Sequence, residues 1–129
     1  MHGSIPIASP ASVLILLGTA AALAALPLLL RLVRPNRYYG IRVKAAFSSE
    51  QAWYDINAFG AKRLLVFAAT VAVLGFALNA YPQAPFWLPI ACLVSALFVL
   101  LATVRSIKQY ADSWPHRSDR AGGRAGERS

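Results

Sequence analysis

The chain has 129 residues, 57% of them hydrophobic, and 13 Lys or Arg against 5 Asp or Glu, a formal net charge of +8. So few charges among so many apolar residues exclude an ordinary soluble domain. A single cysteine, Cys92, excludes a disulfide within the chain.

Ala11 to Leu30 contains no charge and is relieved only by Ser12 and Thr19. Twenty helical residues rise about 30 Å, the thickness of a bilayer's hydrocarbon core. A cleaved signal peptide is the competing reading, but such signals carry positive charge ahead of the apolar run. Residues 1–10 hold no Lys or Arg, whereas Arg31, Arg34 and Arg37 follow the run. That order predicts an anchor with its N-terminus outside. From Leu64 to Val104 there are 41 residues without a charge, divided by Asn79-Ala80-Tyr81-Pro82-Gln83-Ala84-Pro85. Two prolines and an asparagine there predict a turn between two spans. The expected fold is therefore all-α and integral to a membrane, with three transmembrane helices near 11–33, 62–80 and 86–105. A cytoplasmic loop and an interfacial helix join the first two. Residues 1–112 form one module under this reading, and 113–129 form a disordered, basic cytoplasmic tail.

Charge sets the expected orientation. Seven Lys or Arg lie in 31–63 and six in 105–129, which accounts for all 13, while the N-terminus and the 79–85 turn have none. The positive-inside rule then predicts N-terminus out, loop in, hairpin out and C-terminus in. No groove-reading motif accompanies these cations, so nucleic acid is not an expected partner. Attraction to anionic lipid heads explains them better.

The spans carry no ionisable side chain between their ends, which argues against a proton-coupled transporter. No Ser-His-Asp set, phosphate loop or close carboxylate pair is present. His2 and His116 stand alone near the termini, and Cys92 reads as a small apolar residue. No catalytic residue, metal or cofactor is expected. Small residues mark packing faces: Gly18 with Ala22 on the first helix, and Ala68, Ala72 and Gly75 with Asn79 on the second. They serve packing within one unit, self-association or a partner subunit. Pro27 is positioned to kink the first helix, and Pro89 falls in the tolerant first turn of the third.

The loop 34–63 carries most of the information. Ser48-x-x-Gln51 has the form of a capping box and predicts a helix start. With no proline from Ser49 to Tyr81, that helix can run into the second span, projecting its first turns from the bilayer or bending near Gly60. At 100° per residue, Glu50, Trp53, Asn57 and Gly60 share one face, with Asp55 and Lys62 elsewhere, toward solvent. Trp53, Tyr54 and Phe59 also suit the headgroup zone.

Pro35-Asn36-x-x-Tyr39-Gly40-Ile41-Arg42, followed by Ser48-Ser49-Glu50-x-x-Trp53-x-x-x-Asn57-x-x-Gly60-x-Lys62, resembles the signature of the SdpI family of bacterial membrane proteins. The resemblance covers about 28 residues and the hydrophobic hairpin after them. It departs at Val43-Lys44-Ala45, where members commonly show a Thr-Pro-Trp-like stretch. The founding immunity protein is about twice as long, and the likeness is to its C-terminal half. The family is named for that immunity protein, which protects its producer from a secreted killing peptide that attacks membranes. The resemblance implies a bacterial plasma-membrane protein without enzymatic activity, giving immunity to such a peptide or acting in envelope-stress signalling. A small accessory subunit of a larger membrane complex is the alternative, and a lipid-linked-substrate enzyme or transporter a weaker third.

The candidate interface residues are Pro35, Asn36, Tyr39, Gly40, Arg42, Ser48, Ser49, Glu50, Trp53, Asn57, Gly60 and Lys62. Arg42 and Glu50 are expected to meet, either as a structural brace or as a binding pair. Trp53 either anchors to lipid or closes a pocket, Asn36 caps or turns the chain, and Gly40 supplies an unusual backbone angle. Expected partners are membrane lipids together with a membrane-active peptide, a membrane or cytoplasmic protein, or a second copy of the chain.

Overall fold

A computed structural model describes residues 9–114. It contains three α-helices: α1 over Pro10–Leu29, α2 over Glu50–Ala80 and α3 over Trp87–Asp112, with a 3-10 turn at Lys44–Phe47 between the first two. Each α-helix is long and apolar enough to cross a membrane. Among the described residues there is no strand.

α1 starts where the Ser9 hydroxyl accepts from the Ser12 backbone N–H at 3.2 Å and Pro10 takes a first-turn position. It ends at Leu29, four residues before the expected boundary. Leu32 N–H bonds to the Pro27 carbonyl and Arg31 N–H to the Leu28 carbonyl, with Arg31 left-handed at φ 57°. This is a Schellman stop, with arginine in the place that glycine usually fills. The turn sends the loop back toward α2.

α2 is one helix of 31 residues, about 46 Å long and continuous through Gly60. Its cap is Ser49, whose hydroxyl accepts from Ala52 N–H at 3.0 Å. The expected capping box at Ser48 and Gln51 does not form: the cap lies one residue later, where Ala52 has no side chain to return the bond. Ser48 instead donates to the Ala45 carbonyl, closing the 3-10 turn. α2 is the central element. Against α1 the two backbones nearly touch: a Cβ on Gly18 would lie 2.7 Å from the Ala68 carbonyl oxygen, and one on Gly75 2.9 Å from that of Ala11. The small-residue faces therefore serve packing within this unit. α3 runs seven residues past the expected end, so its last two turns stand beside the first turns of α2.

Three apolar clusters stack along the bundle. Leu14, Phe67, Val71, Leu78, Cys92 and Ala96 belong to the first, within the spans. Ala25, Leu28 and Ala61 make a junction layer. Ala46, Ala52, Trp53, Ile56 and Ala111 hold the loop, the 3-10 turn and both helix extensions together. Large apolar side chains such as Leu16, Leu23, Val73, Phe76, Leu97 and Phe98 point outward from the spans, as helices in hydrocarbon require. The tail expected to be disordered lies outside the described residues from position 115 on, as do His2 and His116.

Candidate functional site

The loop from Leu30 to Ser49 folds down onto the face of α2 that Trp53, Asn57 and Gly60 share. Trp53 is fully buried, and its indole Nε1 donates to the Val33 carbonyl at 2.8 Å. Its ring lies 5.2 Å from that of Phe47. One turn on, the Asn57 side chain is 2% exposed and satisfied at both ends. Oδ1 accepts from the Ile41 backbone N–H at 2.6 Å, and Nδ2 donates to the Trp53 carbonyl at 2.9 Å. Gly60 leaves the gap into which the Ile41 side chain fits; a Cβ at 60 would overlap the Ile41 Cδ1. Positions 53, 57 and 60 thus hold the loop by a hydrogen bond, a second hydrogen bond and a shape match.

The loop is shaped to reach them. Asn36 Oδ1 accepts from the Tyr38 and Tyr39 N–H groups at 2.9 and 2.8 Å, while its Nδ2 donates to the Arg34 carbonyl at 2.8 Å. That Asx turn after Pro35 aims Tyr39 at α1, where its hydroxyl donates to the Ala24 carbonyl. Gly40 follows at φ 108°, and a Cβ there would come 2.6 Å from Asn57 Oδ1. Backbone angle and space both demand glycine. No buried side-chain polar atom among the described residues lacks a hydrogen-bond partner, which is how a buried polar network stabilises rather than strains.

The SdpI/YfhL family model matches residues 32–104. The chain belongs to that family. No curated protein and no solved structure matches it. The matched region starts at the turn after α1 and covers the clasped loop, all of α2 and most of α3, so the chain is an SdpI/YfhL membrane protein with three apolar helices.

Within this SdpI/YfhL chain the candidate residues separate into two groups. Asn36, Tyr39, Gly40, Trp53, Asn57 and Gly60 interlock at the clasp. Pro35, Arg42, Ser48, Ser49, Glu50 and Lys62 are exposed. Trp53 is a buried fastener, neither a lipid anchor nor the wall of a pocket.

The expected Arg42–Glu50 pair does not form. Arg42 Nη1 reaches back 2.7 Å to the Arg37 carbonyl, and Glu50 makes no ion pair among the described residues. The 3-10 turn and the Ser48-Ser49 link intervene, and Glu50 sits instead in the first turn of α2, where a carboxylate favours the helix dipole. The ion pair that does form is Arg31 to Asp55, at 2.6 Å, with side chains 54% and 19% exposed. Asp55, expected to face solvent, holds the left-handed turn at the end of α1. A left-handed arginine carries no sequence signal of the kind glycine gives, which hid this partner.

Outside the clasp, Arg34, Arg37, Tyr38, Arg42 and Lys44 stand exposed, Tyr38 at 93%. They form a cationic ridge with one protruding aromatic ring. The ridge offers charge, guanidinium donors and a ring face, which equip it to recognise anionic or amphipathic partners. No group of three His, Cys, Asp or Glu side chains comes together among the described residues.

Proposed function

We propose that this chain is a non-enzymatic protein of the bacterial plasma membrane that confers resistance to a membrane-active peptide or takes part in envelope-stress signalling. The observation that carries the reading is the division of the family signature. Its buried half fixes the loop to α2, and its exposed half brings Arg42 to the surface at the loop end of the bundle, beside Arg37 and Tyr38, which lie outside the signature. A loop backbone already fixed to α2 has less conformational entropy left to lose on binding than a free segment. The charge count favours a cytoplasmic ridge. A peptide that inserts into the bilayer reaches such a ridge from the membrane, and a signalling protein reaches it from the cytoplasm.

The test is survival and membrane potential of a sensitive bacterium expressing the chain during challenge with membrane-active killing peptides. Wild type should protect, whereas Arg42→Ala and Tyr38→Ala, at equal membrane levels, should not. Protection undiminished in both variants would remove the ridge from the mechanism. Absence of protection by wild type against every peptide would refute the resistance reading and favour an accessory subunit, sought by co-purification of a stoichiometric partner.

A further inference from the structure

A second polar site lies away from the clasp, between the extensions of α2 and α3. Phe59 and Arg63, one turn apart on α2, face Ser106, Gln109 and Tyr110 on α3 and Ser113 at its C-cap across an open depression of about 300 Å³. One wall is aromatic: Phe59 and Tyr110 stack with centroids 3.9 Å apart and planes within 5° of parallel. The Arg63 guanidinium carbon lies 5.3 Å from the Phe59 centroid. Arg63 is exposed and meets no carboxylate among the described residues. Ser113 commits its hydroxyl proton to the Tyr110 carbonyl, so the donors available to a ligand are the guanidinium, the Ser106 hydroxyl and the Gln109 amide.

The depth of this depression is set by charge. Arg63 and Arg105 bracket the uncharged 64–104 stretch, so residues 63 and 106 stand where hydrocarbon gives way to headgroups. One turn inward on α2, Val66 is exposed and offers apolar surface to an acyl chain. A guanidinium held over a ring is oriented in advance, and its planar fork matches two phosphate oxygens. Basic pockets between transmembrane helices hold lipid headgroups by this chemistry.

We propose that the depression between Arg63 and Gln109 binds the phosphate of a membrane lipid headgroup. The shared chemistry with a soluble phosphate ester is the oxyanion; the adjoining apolar surface assigns the site to a lipid. The test uses the purified full chain in mild detergent, with binding read by native mass spectrometry. The probes are short-chain phosphatidylglycerol, the matching diacylglycerol without phosphate, and inorganic phosphate. Wild type should retain phosphatidylglycerol over both others. Arg63→Gln should weaken it roughly tenfold, as should Ser106→Ala combined with Gln109→Ala. Lys108→Gln, which removes the same charge from α3 outside the depression, should bind as wild type does. Equal weakening by Arg63→Gln and Lys108→Gln would reduce the effect to diffuse attraction and overturn the site. Diacylglycerol retained as well as phosphatidylglycerol, or inorganic phosphate bound as tightly, would also overturn the lipid assignment. The paired Ser106 and Gln109 variant keeps the test decisive if Arg63→Gln disturbs folding.

Discussion

Asn57 concentrates the demands of the loop in one side chain. It accepts from Ile41 and donates to Trp53 within a site almost closed to water. Asn57→Ala leaves the Ile41 N–H without its acceptor, a loss of about 1–3 kcal/mol. Thermal unfolding in detergent should show it, with Trp53→Phe, which removes the indole donor and keeps a ring, costing about 1 kcal/mol. Arg31 allows a sharper comparison. Its left-handed φ strains any residue with a Cβ, while its exposed pair with Asp55 contributes less than about 1 kcal/mol. Both Arg31→Ala and Arg31→Gly remove the pair, but glycine also releases the strain, so the glycine variant should be the more stable by about 1 kcal/mol. Equal melting temperatures for the two would show that the turn is not held left-handed. At this scale the sequence was partly legible. Helical geometry alone placed Trp53, Asn57 and Gly60 on one face, because 100° per residue is fixed. Their partners were hidden, since Val33 and Ile41 bind through backbone groups that every residue carries. Asp55 was misplaced because its partner lies 24 positions away, beyond a turn that arginine disguises.

Among the elements, α2 decides the architecture. Its upper half meets the loop and the end of α3, and its lower half meets α1 along Gly18, Ala68, Ala72 and Gly75. Gly18→Ala drives a methyl group against the Ala68 backbone carbonyl, which no rotamer change relieves, and should destabilise by about 1–3 kcal/mol. Ala20→Leu, on an exposed position of the same helix, should leave the melting temperature in detergent almost unchanged. A neutral Gly18→Ala would mean that the helices sit further apart. The three spans were legible because long uncharged stretches have few alternatives. The length of α3 was not: Arg105 and Lys108 end the apolar run, yet the helix continues because Ile107, Tyr110 and Ala111 find partners on α2 and in the loop cluster. Tertiary contact, rather than hydropathy, sets that end.

The molecule as a whole is a membrane bundle carrying a small polar cap at one end. Apolar surface faces outward along the spans, hydrogen bonds to loop backbone concentrate in the cap, and the cationic ridge and the Arg63 depression lie at that same end. Charge asymmetry predicts that the capped end is cytoplasmic. Single-cysteine labelling from outside, in a Cys92→Ala background, should therefore modify position 83 in the hairpin turn and spare position 38. Labelling of position 38 from outside would invert the topology and place the ridge directly in the path of a secreted peptide.

Recognition of a partner by the exposed Arg37, Tyr38 and Arg42 depends on the loop being held against α2 rather than trailing from it. Hydrogen–deuterium exchange of the loop in detergent-solubilised protein measures this directly, comparing wild type with Asn57→Ala. The Ile41 amide should exchange slowly in wild type and much faster in the variant, while the spans remain protected in both. Rapid exchange at Ile41 in wild type, or equal exchange in the two proteins, would contradict the clasp and the fixed ridge built on it.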